Sequence, residues 1–180
     1  NDQASELVDT SFLETNDDTV EEVSGSCFCC NFNGFADAIK HLQEQNNSDI
    51  IFAEPVVSCT DLSATIMQPV KEKYSDSLNL KQLTVLADPT RLKAVLKDHS
   101  NPGDYIIYKQ FEEADVILIN KVELLSEQEL AELVEATKKE FNNENVLTTS
   151  VKTGEGLDEW FNQIITSEKE VGRKIVEVDY

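Results

Sequence analysis

Four short apolar runs constrain this chain more than any other feature: residues 49–53 (DIIFA), 83–87 (LTVLA), 115–119 (DVILI) and 145–149 (NVLTT). Each is rich in β-branched residues and nearly continuous in its apolar character. A strand with one solvated face alternates apolar and polar residues, whereas a strand buried on both faces does not. The four runs therefore predict parallel strands covered by helices.

Helical patterns fall between the runs. Ser126 and Glu129 have the spacing of a capping box, with Leu125 and Leu130 placed as its hydrophobic staple. Leu133, Val134 and Phe141 continue that apolar face. A later helix is marked by Leu157, Trp160, Phe161, Ile164 and Ile165, all expected in the core, and an earlier one by Phe35, Ile39 and Leu42 before the polar stretch 45–48. Strand and helix in alternation predict an α/β domain with a mostly parallel sheet flanked by helices. The acidic stretch 14–22 reads as a loop and 174–178 as a strand or linker. There is no internal repeat or low-complexity segment.

The chain carries 35 acidic against 15 basic residues, a net charge of −20. Such a surface repels phosphate backbones and anionic lipid, which argues against nucleic-acid and membrane partners. No run approaches the length of a membrane span, and no signal peptide is visible, so a reducing cytoplasmic setting is expected. Clustered cysteines then point to a soft metal rather than to disulfides, because neighbouring cysteines bridge poorly. Three of the four, Cys27, Cys29 and Cys30, lie within four residues, and the fourth is Cys59. In an extended segment Cys27 and Cys29 would point the same way, and a turn at Cys30 would add a third thiolate, a donor set suited to Zn²⁺ or Co²⁺. Cys59 reads as a small packing residue or a fourth ligand.

In open α/β sheets, ligands bind beyond the C-terminal ends of the strands. Those ends here read Glu54-Pro55, Asp88-Pro89, Asn120-Lys121-Val122-Glu123 and Ser150-Val151-Lys152-Thr153-Gly154-Glu155-Gly156. The Asn120–Glu123 tetrapeptide resembles the NKxD motif that recognises guanine, with a glutamate in place of the aspartate. In that role the Glu123 carboxylate accepts from the ring N–H and the exocyclic amine that adenine lacks. Lys121 lies along the base, and Asn120 braces neighbouring loops. Ser150-Val151-Lys152 resembles the second guanine loop, whose backbone N–H groups meet the guanine oxygen.

Ser26-Cys27-Phe28-Cys29-Cys30 resembles the CxCC motif of CobW-like metallochaperone GTPases, relatives of the hydrogenase and urease nickel-insertion GTPases. The segment after Lys152 and the stretch 108–115 are also similar to that family, so the likeness runs from Asn1 to about Ser167. It implies a P-loop NTPase (SIMIBI-like) core with GTP and Mg²⁺ as cofactors. Glu54 becomes the catalytic acid of a Walker B strand, within an ExxG pattern whose glycine is here Val57. Asp2 becomes a metal-site residue in the first switch region. No GxxxxGK[ST] phosphate loop occurs in these 180 residues. The resemblance places that loop and its strand before Asn1.

On this reading residues 1–168 are an incomplete GTP-binding domain, and residues 169–180 a strand or linker toward a C-terminal domain outside this chain. The expected function is GTP-gated delivery of zinc or cobalt, or support of corrinoid metabolism. The expected partners are a guanine nucleotide, a metal ion and a client metalloprotein or corrinoid protein, and a homodimer is compatible with this. The alternative is a non-hydrolysing metal-binding or partner-binding module on the same fold.

Overall fold

The computed structural model describes residues 20–46, 48–168 and 171–172. The chain divides into two compact units, residues 1–59 and 60–180. Asp2, most of the acidic stretch 14–22 and the terminal stretch 174–178 lie outside the described residues.

In the first unit, α1 spans Phe32–Asn46. The expected strand at 49–53 does not form: residues 50–56 belong to no strand or helix, and Phe52 is 64% exposed. An apolar run becomes a strand only when a neighbouring ladder satisfies its N–H and C=O groups. No such ladder flanks it among the described residues. Hydrophobic pattern alone could not reveal this, because pattern does not name a partner.

The second unit is α/β. Among the described residues its sheet has three parallel strands in the order β1-β2-β3: β1 (Thr84–Ala87), β2 (Val116–Ile119) and β3 (Val146–Thr148). Thr84 is level with Val116, and Ile117 with Val146. All four residues of central β2 are buried, as a strand covered on both faces requires. Leu86, on edge strand β1, is 58% exposed.

Helix boundaries follow capping chemistry. Helix α2 (Gln68–Tyr74) continues from a π-helical turn at Ser63–Met67. The start of that segment is held by the buried Glu113 carboxylate, which accepts from the backbone N–H of Asp61 and of Leu62. Helices α3 (Pro89–Lys97) and α4 (Pro102–Glu113) carry β1 over to β2. Asp88 caps α3 by accepting from Thr90 N and Arg91 N, and Asn101 caps α4 by accepting from Asp104 N. In both, proline occupies the first helical position, where no N–H is needed. Helix α5 (Glu127–Phe141) opens with the expected capping box of Ser126 and Glu129.

The core joins Ala87, Leu92, Val95, Phe111, Ile117, Ile119, Leu133 and Phe141. Burying a Leu, Ile or Phe side chain contributes about 1.5–3 kcal/mol each. Helix α6 (Leu157–Thr166) departs from the expected core: Ile164 is buried, but Phe161 and Ile165 are more than a third exposed. The two lie one turn apart, so that face of the helix sits at the margin of the core. Trp160 instead ties α6 to β1 by donating from Nε1 to Thr84 Oγ1 at 3.2 Å.

Candidate functional site

The C-terminal ends of β1, β2 and β3 bring Asp88, the 120–123 turn and the 150–156 loop to one edge of the sheet. Asn120 follows β2 directly and stays in register through its N–H, which donates to Ala87 O at 2.9 Å. Lys121 then takes a left-handed backbone, φ 62°. That conformation costs a non-glycine residue about 1–2 kcal/mol. The turn is held by Asn120 Oδ1, which accepts from Lys121 N at 2.7 Å and from Val151 N at 3.0 Å. The side chain of Asn120 thus links the two loops it was expected to brace.

Lys121 Nζ donates to Asp88 Oδ2 at 2.8 Å. The lysine, then the backbone N–H groups of Arg91 and Thr90, hold the Asp88 carboxyl below its usual range; Asp88 in turn raises Lys121. Asp88 was not among the expected site residues. Its sequence signal was an acid directly after an apolar run and before a proline.

Glu123 is exposed, and its carboxylate meets the hydroxyl of Ser150. That hydrogen bond, then its own backbone N–H and the charges of Lys152 and Lys121, keep it below the usual carboxylate range. Ser150 itself is fully buried, and its Oγ also accepts from Thr153 N. The 150–156 loop closes on itself: Ser150 N donates to Glu155 O, Gly154 N to Ser150 O, and Thr149 Oγ1 to Glu155 O. Gly156 has φ 73°, and a Cβ there would lie 2.1 Å from Thr148 O. Only glycine fits. Val151 N is engaged by Asn120 and so is not the amide that meets a ligand.

The thiols lie in the first unit. The segment is a turn rather than extended: Cys27 O accepts from Cys30 N and from Asn31 N, leading into α1. The turn is what gathers the sulfurs. Cys27 Sγ and Cys29 Sγ are 2.7 Å apart as free thiols, and the sulfurs of Cys27, Cys29 and Cys30 all lie within 4.8 Å of one another. Phe28 faces the other way, buried against Phe35 with ring centroids 4.5 Å apart. Cys29 and Cys30 are exposed, Cys27 partly so.

A hydrogen bond from Cys29, then those from Cys30, lower the Cys27 thiol to about 7, and Cys30 is correspondingly raised to about 11. Burial pushes Cys59 up to about 11, and negative charge on Cys27 and Cys29 adds to it. Tetrahedral zinc thiolates, with Zn–S near 2.3 Å, place their sulfurs about 3.8 Å apart. The three sulfurs fit a single soft ion.

Glu54 lies in the exposed, irregular stretch 52–54, and Val57 is 84% exposed in the turn that follows. No helix among the described residues is long and apolar enough to cross a membrane.

A family model for the CobW/HypB/UreG nucleotide-binding domain matches residues 1–148. No curated protein and no solved structure matches the chain. The match spans the cysteine turn, the parallel strands and the Asn120–Glu123 turn, and on it the chain belongs to the CobW/HypB/UreG family of nucleotide-binding domains.

Proposed function

We propose that this chain is the nucleotide-binding part of a GTP-dependent metallochaperone that carries zinc or cobalt on Cys27, Cys29 and Cys30 to a client metalloprotein or corrinoid protein in the cytoplasm. The observation that carries the metal reading is the approach of three sulfurs to within 4.8 Å of one another. Thiolates select soft or borderline ions, and three of them leave one position of a tetrahedral ion open to another donor.

The base-facing half of a guanine nucleotide suits the residues present. Glu123 offers an acceptor carboxylate with a lowered proton affinity, and the Lys152 amide offers a donor beside it. Asn120 fixes the distance between the two loops. The phosphate-facing half does not fit these residues: with six glycines and no GxxxxGK[ST], the 180 residues supply no phosphate cradle. GTP with Mg²⁺ would supply a hydrolysable phosphoanhydride, for which Glu54 and Asp2 are the proposed acids.

Cobalt titration of the reduced protein tests the metal site. Sulfur ligation gives an intense thiolate-to-metal charge-transfer band. Binding strengthens with pH because each thiolate gives up a proton. Absence of the band, or unchanged binding in a Cys27→Ser, Cys29→Ser, Cys30→Ser triple variant, overturns the reading.

Val57 favours a second reading, a metal-binding or partner-binding module that does not hydrolyse GTP. It stands where the family pattern has the glycine that lets backbone approach a terminal phosphate. GTP turnover abolished by Glu54→Gln rejects this second reading.

A further inference from the structure

We propose that Cys27 and Cys29 form a reversible oxidation site: a peroxide joins their sulfurs in a disulfide, which removes two of the three metal donors and releases the ion. The disulfide stands on the geometry of the turn alone. Its effect on metal release rests on the metal-carrying function above.

In an extended chain, residues two apart have Cα atoms about 6.6–6.8 Å apart, at the limit of what a disulfide spans. This segment is not extended. Cys27 O accepts from Cys30 N at 3.1 Å and from Asn31 N at 3.0 Å, so the chain winds tightly into α1. Phe28, buried against Phe35, fixes the orientation of the turn. The result is two free thiols in contact, with Cys27 Sγ and Cys29 Sγ 2.7 Å apart. A disulfide bond is about 2.05 Å long. Two sulfurs sharing a tetrahedral zinc stand about 3.8 Å apart. The pair is thus nearer to the bond than to the shared-ion spacing. Holding two reacting atoms together in advance removes much of the entropic cost of joining them. Cys29 is also exposed, so an oxidant in solution reaches it without any opening of the fold.

The step balances with a peroxide as oxidant. Cys29 gives up its proton, and the thiolate attacks one oxygen of hydrogen peroxide. The O–O bond breaks, the sulfur becomes a sulfenic acid, and the leaving hydroxide takes up a proton to form water. The Cys27 sulfur then attacks the sulfenic sulfur. The S–OH bond breaks, and the hydroxide leaves as water with the proton of the Cys27 thiol. Two thiols and one peroxide give one disulfide and two waters. A bound metal ion keeps its charge throughout and loses two thiolate donors, and Cys30 alone does not hold it. A dithiol reductant reverses the bond by thiol–disulfide exchange, and exposed disulfides are the readily reduced ones. Loading is thereby confined to reducing conditions, and an oxidant unloads the ion without nucleotide turnover.

The test treats the reduced, zinc-loaded full chain with stoichiometric hydrogen peroxide. Released zinc is read with a chromophoric chelator. The disulfide is mapped by mass spectrometry after the remaining thiols are alkylated. Expected are a mass loss of two hydrogens, a Cys27–Cys29 link within one chain, alkylated Cys30 and Cys59, and zinc release in step with the link. Dithiothreitol followed by fresh zinc should restore the loaded form. Cys29→Ser, a near-isosteric change at an exposed position, should abolish the link. A link between any other pair, a link between two chains, or over-oxidation without a link overturns the proposal and leaves the three-cysteine metal site standing. So does zinc that stays bound once the Cys27–Cys29 link is complete. A reduced protein that takes up no zinc overturns the metal-carrying function and the release step with it.

Discussion

Asn120 Oδ1 accepts a hydrogen bond from Val151 N at 3.0 Å, joining the turn after β2 to the loop after β3. The same oxygen accepts from Lys121 N, so one side chain stabilises a strained backbone and positions a second loop. Asn120→Ala should therefore weaken guanine-nucleotide binding and lower the unfolding midpoint together. Leaving two amides without their acceptor costs about 1–3 kcal/mol. Calorimetric titration with GDP and a thermal melt measure the two effects. A loss of affinity with no change in stability would mean that the oxygen contacts the ligand rather than the loops.

Glu123→Ala should lower affinity for GTP and leave affinity for ATP unchanged, because only guanine presents a ring N–H and an amine to the carboxylate. Competition between the two nucleotides on the full chain reads this directly. Equal affinities in the unaltered protein would remove Glu123 from base recognition.

Asp88 does two structural jobs, capping α3 and pairing with Lys121. Asp88→Ala should destabilise the protein by about 0.5–2 kcal/mol, mainly through the lost cap. The half-exposed ion pair adds little in water. The folded carboxyl has a lowered pKa, so its contribution is present above the unfolded value near 3.9 and is lost as pH falls through the folded value. Melting curves of the two proteins should differ at pH 7 and converge at strongly acid pH. A constant gap would show that the carboxylate's charge does not matter.

Gly156→Ala places a methyl on the carbonyl of Thr148 and forces a left-handed backbone on alanine. The backbone term alone costs about 1–2 kcal/mol, and the clash requires the loop to move. Reduced stability together with reduced nucleotide affinity is expected. Normal binding would show that the 150–155 loop reaches its ligand without this close approach.

Local chemistry was legible in the sequence wherever a few adjacent residues determine the outcome. The capping box of Ser126 and Glu129, the doubly buried strand 116–119 and the convergence of Cys27, Cys29 and Cys30 follow from short-range rules. Even there, the cysteines converge by a turn over 27–31 rather than by extended alternation. Features that depend on a distant partner were not legible. Residues 49–53 have the composition of a strand but no ladder beside them among the described residues, and Phe161 and Ile165 have core spacing but stay more than a third exposed. Helices α3 and α4 were overlooked because their apolar stripes are thin, although Asp88-Pro89 and Asn101-Pro102 mark their starts.

Phe28 is the one residue between Cys27 and Cys30 that carries no sulfur, and it is buried against Phe35. It works as a keel for the turn: the thiols can face outward because the aromatic ring cannot. In the proposed metal site the bite of the three sulfurs is thus set from beneath, by the fit of one ring against another. Trimming Phe28 would loosen the spacing of the sulfurs without altering their number, shifting preference toward larger ions. Ion choice in such a site can be tuned by hydrocarbon that never touches the ion.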